Sequence, residues 1–150
     1  MTRPSEIKPR EDAQPGTPYA EIQVGADLPE MRFFLTPEIN DEYLAAIDEQ
    51  DAAYYVVDGH RVAAPNVLSV YLLAVLYRKY PPIQGIVVFD QAWRWHHPIW
   101  AEETTDLVAH GRVEDKFEKK GRKYIRFTAE FTRADGQPIA SAKHTLHIPQ

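Results

Sequence analysis

The segment from Asp51 to Val67 carries the side chains whose types and spacing could do chemistry. An imidazole changes protonation near neutral pH, so His60 is a candidate general base. Asp51 is a candidate to orient that base or a water molecule. Tyr54 and Tyr55 can each donate a hydrogen bond to a carbonyl oxygen. Every one of these residues also has a structural alternative. His60 can be a solvated histidine beside the Asp58–Gly59 turn, and Asp51 a helix-end carboxylate facing water. The two tyrosines can pack the junction between helix and loop. At the end of the segment, Asn66 and Val67 can offer helix-terminal N–H groups to an oxygen, whereas Pro65 has none to give. Asn66 can equally be a helix cap.

A second group of candidates lies in Trp93–Arg94–Trp95–His96–His97–Pro98. Trp93 and Trp95 are two residues apart, so on a strand they share a face and form one aromatic surface able to line a ligand site. His96 and His97 are adjacent, and adjacent strand residues point to opposite faces. They therefore do not grip one metal ion, and no metal site is expected. Lys119, Lys120, Arg122 and Lys123 read as a solvated hairpin tip, although such a cluster can steer a phosphate-bearing ligand.

These residues need elements to hold them. Residues 1–19 are rich in proline and charge and read as a disordered or loosely docked arm, with one domain over 20–150. Ala20–Asp27 and Met31–Leu35 read as short strands around a Leu28–Pro29 break. Thr36–Pro37–Glu38 is a helix start, with Thr as N-cap and Pro in the first turn. Ile39, Tyr43, Leu44 and Ile47 follow on one face. Pro65–Asn66 opens a second helix over 66–78 that is apolar all round, which predicts burial all round. Strands are expected over 86–95, 104–118, 122–133 and 138–148. In the third, Ile125, Phe127, Ala129 and Phe131 point inward. Asp135–Gly136 joins the last two.

Composition narrows the function. The formal net charge of −5 lacks the basic surface that phosphate neutralisation needs, so nucleic acid is not an expected partner. With no cysteine there is no disulfide, thiolate zinc site or Cys nucleophile, which fits a cytoplasmic setting. No apolar run reaches the roughly 18 residues of a membrane span, and no secretory signal is visible at the N-terminus.

An α+β order, with one enclosed helix wrapped by a curved antiparallel sheet, resembles a single hotdog domain. The motifs resemble those of MaoC-like acyl-thioester dehydratases and hydratases, akin to the dehydratase domain of fatty-acid synthases. Ala64–Pro65–Asn66 opens the central helix, Trp93–Pro98 ends a strand, and Val113–Glu114–Asp115–Lys116–Phe117–Glu118–Lys119–Lys120–Gly121 matches a family hairpin. The resemblance covers roughly Phe33 to Ile148.

It implies reversible addition of water to an enoyl group linked to coenzyme A or acyl carrier protein, without a cofactor. It also implies a dimer, homomeric or paired with another hotdog chain, with one open edge strand inviting sheet continuation across the two-fold. The family pairs an Asp with a His just after the first helix. Here the matching Asp is Asp51, but Val56 stands where the His is expected. An enzymatic reading therefore draws a rearranged dyad from Asp51, Asp58 and His60, assisted by Tyr54. The substrate would contact Tyr55, Asp58, Asn66, Val67, Trp93 and Trp95. The alternative is a non-catalytic subunit that shapes an acyl site beside a catalytic paralogue. A thioesterase is weaker still, because it would want a carboxylate on the central helix and residues 67–77 contain none.

Overall fold

A computed structural model describes residues 3–8, 16–49 and 55–149. Strand β1 (Asp27–Leu35) leads into helix α1 (Pro37–Ala46), and a small hairpin follows, β2 (Val56–Val57) and β3 (His60–Arg61). A 3₁₀ segment, Pro65–Tyr71, runs into helix α2 (Leu72–Tyr77). Four long strands complete the chain: β4 (Val87–Trp95), β5 (Thr105–Lys119), β6 (Arg122–Arg133) and β7 (Pro138–Ile148). The main sheet has the order β1-β5-β6-β7-β4, with every neighbouring pair antiparallel.

The strand alternation dictates which face is buried. Ile125, Phe127, Ala129 and Phe131 of β6 are all inaccessible, as are Leu107, Ala109 and Val113 of β5. The central helical segment lies against that face through Val67, Leu68, Tyr71, Leu72, Val75 and Leu76, each fully buried. Phe33 of β1 stacks on Tyr71 with ring centroids 4.1 Å apart. Gly111 of β5 faces the helix at its closest approach: a Cβ there would lie 2.8 Å from Val75 Cγ1 and 3.0 Å from the Thr128 carbonyl oxygen. The absence of a side chain lets helix and sheet meet.

The structure corrects several expectations. Tyr19–Glu21 is a 3₁₀ turn rather than part of a strand, and β1 runs through Pro29 without a break. Pro29 is tolerated because β1 is an edge strand, and a register shift between Leu28 and Met31 absorbs its missing donor. Thr17, inside the expected arm, is buried, and its hydroxyl donates to the Pro81 carbonyl at 2.9 Å. Arg3 lies against α1, reaching the Glu42 carboxylate with contacts of 2.6 and 3.0 Å. Ile47 is exposed because α1 ends one residue before it. The central helix is buried on one stripe and not all round: Val70 is 41% exposed, and Leu73, Ala74 and Tyr77 are half-buried. The sheet covers one side of the helix only.

Candidate active site

The path from α1 to the central helix is pinned by Asn40. This buried α1 side chain accepts the Ala64 N–H through Oδ1 at 2.9 Å. One residue earlier, the Ala63 N–H donates to the Ile99 carbonyl at 2.7 Å, and the Ala101 N–H donates to Arg61 at 3.0 Å. Val62 forms a β-bridge with Trp100. The segment just before the central helix is thus stitched to the turn that follows β4.

Two clefts flank this stitching. One, of about 270 Å³, is lined by Val57, Val62, Ala63 and Pro65 from the loop and by Trp95, His96, His97, Pro98 and Ile99 from the turn. It is mostly apolar, with two imidazoles at its border and the start of the central helix as part of its wall. The other, of about 280 Å³, is lined by His60, Arg61, Trp100, Glu102 and Glu103.

The two histidines at the first cleft follow directly on the end of β4 at Trp95. The Ile139 carbonyl accepts the N–H of both His96 (2.8 Å) and His97 (3.3 Å), which breaks the strand alternation. His96 and His97 both border this cleft. The His97 ring is further held at Nδ1, 2.7 Å from the Pro138 carbonyl oxygen. A carbonyl only accepts, so Nδ1 carries a proton, and in the neutral ring Nε2 holds the lone pair.

The candidates read from sequence are dispersed. Asp51 and Tyr54 lie outside the described residues. His60 packs edge-on against Trp100 with centroids 5.8 Å apart, in the second cleft rather than beside Trp95. Asp58 sits at an exposed hairpin turn with positive φ, as does Gly59. Tyr55 packs at the end of α1, where desolvation, then Glu49 and Tyr43, push its phenol above the usual range. Asn66 is exposed. The Val67 N–H is spent on the Ala64 carbonyl at 2.9 Å, so Val67 contributes packing and not a free donor. Trp95 lines the first cleft, and Trp93 stacks on it at 5.9 Å and on Phe131 at 5.8 Å. The expected aromatic surface is therefore present.

A polar relay extends from that surface into the core. Trp93 Nε1–H donates to Gln91 Oε1 at 3.2 Å, and Gln91 Nε2 lies 3.4 Å from His144 Nε2. Indole N–H is a donor only, so the amide orientation follows and His144 Nε2 must accept. Burial pushes the His144 imidazole down to about 4, an effect that the Asp90 charge partly opposes. His144 is therefore neutral, with its proton on a buried Nδ1 that has no partner among the described residues. Sequence reasoning weighed His97 only as a metal ligand and gave His144 no role. The signal for His144 was its place on the apolar face of a strand, in register with Phe127.

No family profile matches the sequence, nor does any curated protein. Solved structures do match in fold. R-hydratase PhaJ1 from Pseudomonas aeruginosa, in the unliganded form, aligns with a TM-score of 0.65 over 90% of this chain and 87% of its own, at 20% identity. This is a hotdog fold. A C-terminally truncated HadBC complex, a 3R-hydroxyacyl-ACP dehydratase from Mycobacterium tuberculosis, aligns at 0.67 over 83% of this chain and 96% of its own, with 20% identity. A monoamine oxidase regulatory protein from Archaeoglobus fulgius aligns at 0.70 over 91% and 96%, with 16% identity. The hotdog domain here thus shares its architecture with hydratases and dehydratases and with a protein described as regulatory. Among the described residues, no helix is long and apolar enough to cross a membrane.

Proposed function

We propose that this hotdog protein is a hydratase or dehydratase of acyl thioesters carried by coenzyme A or acyl carrier protein. The observation that carries the reading is the apolar cleft between residues 57–65 and 95–99, which ends at the start of the central helix. An apolar cleft suits an acyl chain, and a few polar groups at its border suit the reacting end. Asn66 adjoins Pro65 on that wall, and its backbone N–H is free for a thioester oxygen among the described residues. Asp51 and Tyr54 remain candidate contributors from the segment between α1 and β2. The test is direct. The purified chain is mixed with crotonyl-coenzyme A and with a longer enoyl thioester, and loss of the conjugated enoyl absorbance is followed. Turnover supports the reading. Its absence with every thioester offered removes it.

A second reading rests on a different observation. Strand β4 is a sheet edge whose Val87, Val88 and Phe89 are 54%, 47% and 58% exposed. Such an edge suits another hotdog chain adding its own edge strand, which supports a homodimer or a heterodimer with a paralogue. If the chain is inert alone but raises the activity of a second hotdog chain, it serves as a supporting subunit.

A further inference from the structure

We propose that His97 is the proton-transferring residue of the apolar cleft, in place of the loop histidine whose position is held by Val56. The proposal rests on the hydratase reading above. His97 is one of six histidines, and only it combines three properties. It lines the cleft, its Nδ1 is held by a carbonyl oxygen, and its Nε2 has no partner among the described residues. The 2.7 Å contact from Nδ1 to the Pro138 carbonyl puts the proton on Nδ1. In the neutral ring the lone pair then sits on Nε2, which has no partner among the described residues. The residue is also held in place. Its backbone N–H bonds Ile139, and Pro98 restricts the conformation of the residue before it. A base oriented by a carbonyl at one nitrogen and open at the other is the arrangement that general catalysis by imidazole needs.

The other five histidines lack one property or another. His60 belongs to the second cleft. His96 borders the first cleft, but no hydrogen bond among the described residues fixes its ring. His110 is exposed in the middle of β5, away from the cleft. His144 spends Nε2 on Gln91. His147 has Nδ1 on the Lys123 carbonyl and packs on Tyr124, at the far end of β7 from the cleft.

The step balances with one imidazole. His97 Nε2 takes a proton from water as the water oxygen bonds to C3 of the enoyl thioester. The C2–C3 π pair moves toward the thioester carbonyl. The imidazolium then returns its proton to C2, which completes the 3-hydroxyacyl thioester and restores neutral His97. Dehydration is the reverse. No other reactant is required. Trp95, Pro98 and Ile99 offer the acyl chain an apolar wall beside His97.

The experiment uses the full chain with crotonyl-coenzyme A and the variants His97→Asn and His97→Phe. The Asn amide can still donate to the Pro138 carbonyl but has no basic nitrogen. Nitrogen-15 NMR of the wild type reads the tautomer. The expected results are a proton on Nδ1 and a fall in kcat of about 10²–10⁴-fold for both variants, the usual weight of a general base. KM and Tm of His97→Asn should be nearly unchanged. If the wild type turns over and His97→Asn keeps a third or more of its kcat, His97 is at most a positioning residue and the proposal falls while the hydratase reading stands. If the proton sits on Nε2, the proposal falls as well. A wild type without turnover overturns the hydratase reading, and this proposal with it.

Discussion

Replacing Gly111 with alanine tests the contact that sets the helix on the sheet. The new methyl would lie 2.8 Å from Val75 Cγ1, 2.9 Å from Leu28 Cδ1 and 3.0 Å from the Thr128 carbonyl oxygen. Comfortable carbon–carbon contact is about 3.5–4.0 Å, so the overlap with Val75 is about 0.7 Å or more. Leu28 presents the end of a flexible side chain and can turn away. Val75 cannot, because a β-branched residue in a helix has essentially one rotamer. The Thr128 oxygen belongs to the β6 backbone, which is paired on both sides. The helix must therefore rise. Overpacking of this kind costs about 1–3 kcal/mol. Loss of glycine's freedom in the unfolded chain returns about 0.4–1 kcal/mol.

The net loss is then about 0–2.6 kcal/mol, and at about 2–4 °C per kcal/mol for a chain of this size, Tm falls by up to about 10 °C. Urea unfolding followed by tryptophan fluorescence measures it. Trimming Val75 to alanine in the Gly111→Ala background should recover part of the loss, with a coupling of at least about 0.5 kcal/mol. Gly121→Ala is the control. Its φ of +71° carries a left-handed penalty, but no atom lies within 4 Å, so it should show no coupling to Val75. A stabilised Gly111→Ala variant, or strict additivity with Val75→Ala, would refute the proposed helix-to-sheet contact.

Other consequences can be measured separately. The folded state holds His144 neutral down to about pH 4, while an unfolded histidine titrates near 6.5, so the unfolded chain binds the extra proton between those values. Stability should therefore drop as pH falls from 6.5 to 4, by at most roughly 3 kcal/mol, and His144→Gln should flatten that part of the profile. Lys116 donates to the carbonyls of Tyr19 (2.6 Å) and Ile22 (2.7 Å) and lies over the Tyr19 ring. Lys116→Met should leave the sheet intact and raise amide exchange at residues 19–23, and unchanged protection there would count against the clamp. Leu72→Asp puts an unpaired carboxylate at a fully buried site, a cost of several kcal/mol against a total of about 5–15, so soluble folded material with a wild-type Tm would contradict the core assignment. Phe89→Glu on the open edge of β4 should shift sedimentation toward monomer if that edge pairs two chains, and an unchanged molecular mass would exclude it.

Much of the fold was legible because binary pattern and burial coincide. In β6 the alternation of Ile125, Phe127, Ala129 and Phe131 has a period of two, and nothing local competes with it. The Asp58–Gly59 and Asp135–Gly136 turns declared themselves by residue type. The 65–77 segment was legible as a helix but not as a half-covered one. Apolarity on every side shows that water is unfavourable there, and it does not say whether a sheet or another chain does the covering. Pro29 misled because proline reads as a break, whereas an edge strand with a register shift accommodates it.

The site was least legible, and the reason is geometric. Alternation predicts side-chain direction only while a ladder persists. At Trp95 the ladder ends, and a single carbonyl, that of Ile139, takes two consecutive N–H groups. Beyond it side-chain direction no longer follows from alternation, and no local sequence feature marks the place where that happens. What fixes the His97 ring is the Pro138 carbonyl, more than forty residues along the chain and brought within 2.7 Å by the pairing of β4 with β7. A search for chemistry in a contiguous loop finds His60, because proximity in sequence is all it can weigh. The apolar cleft instead takes one wall from each of two segments that meet only in the folded state. The ring at its border belongs to the second segment and is held by Pro138 of β7, which is why the residue proposed as the base lies outside the loop where residue types first suggested catalysis.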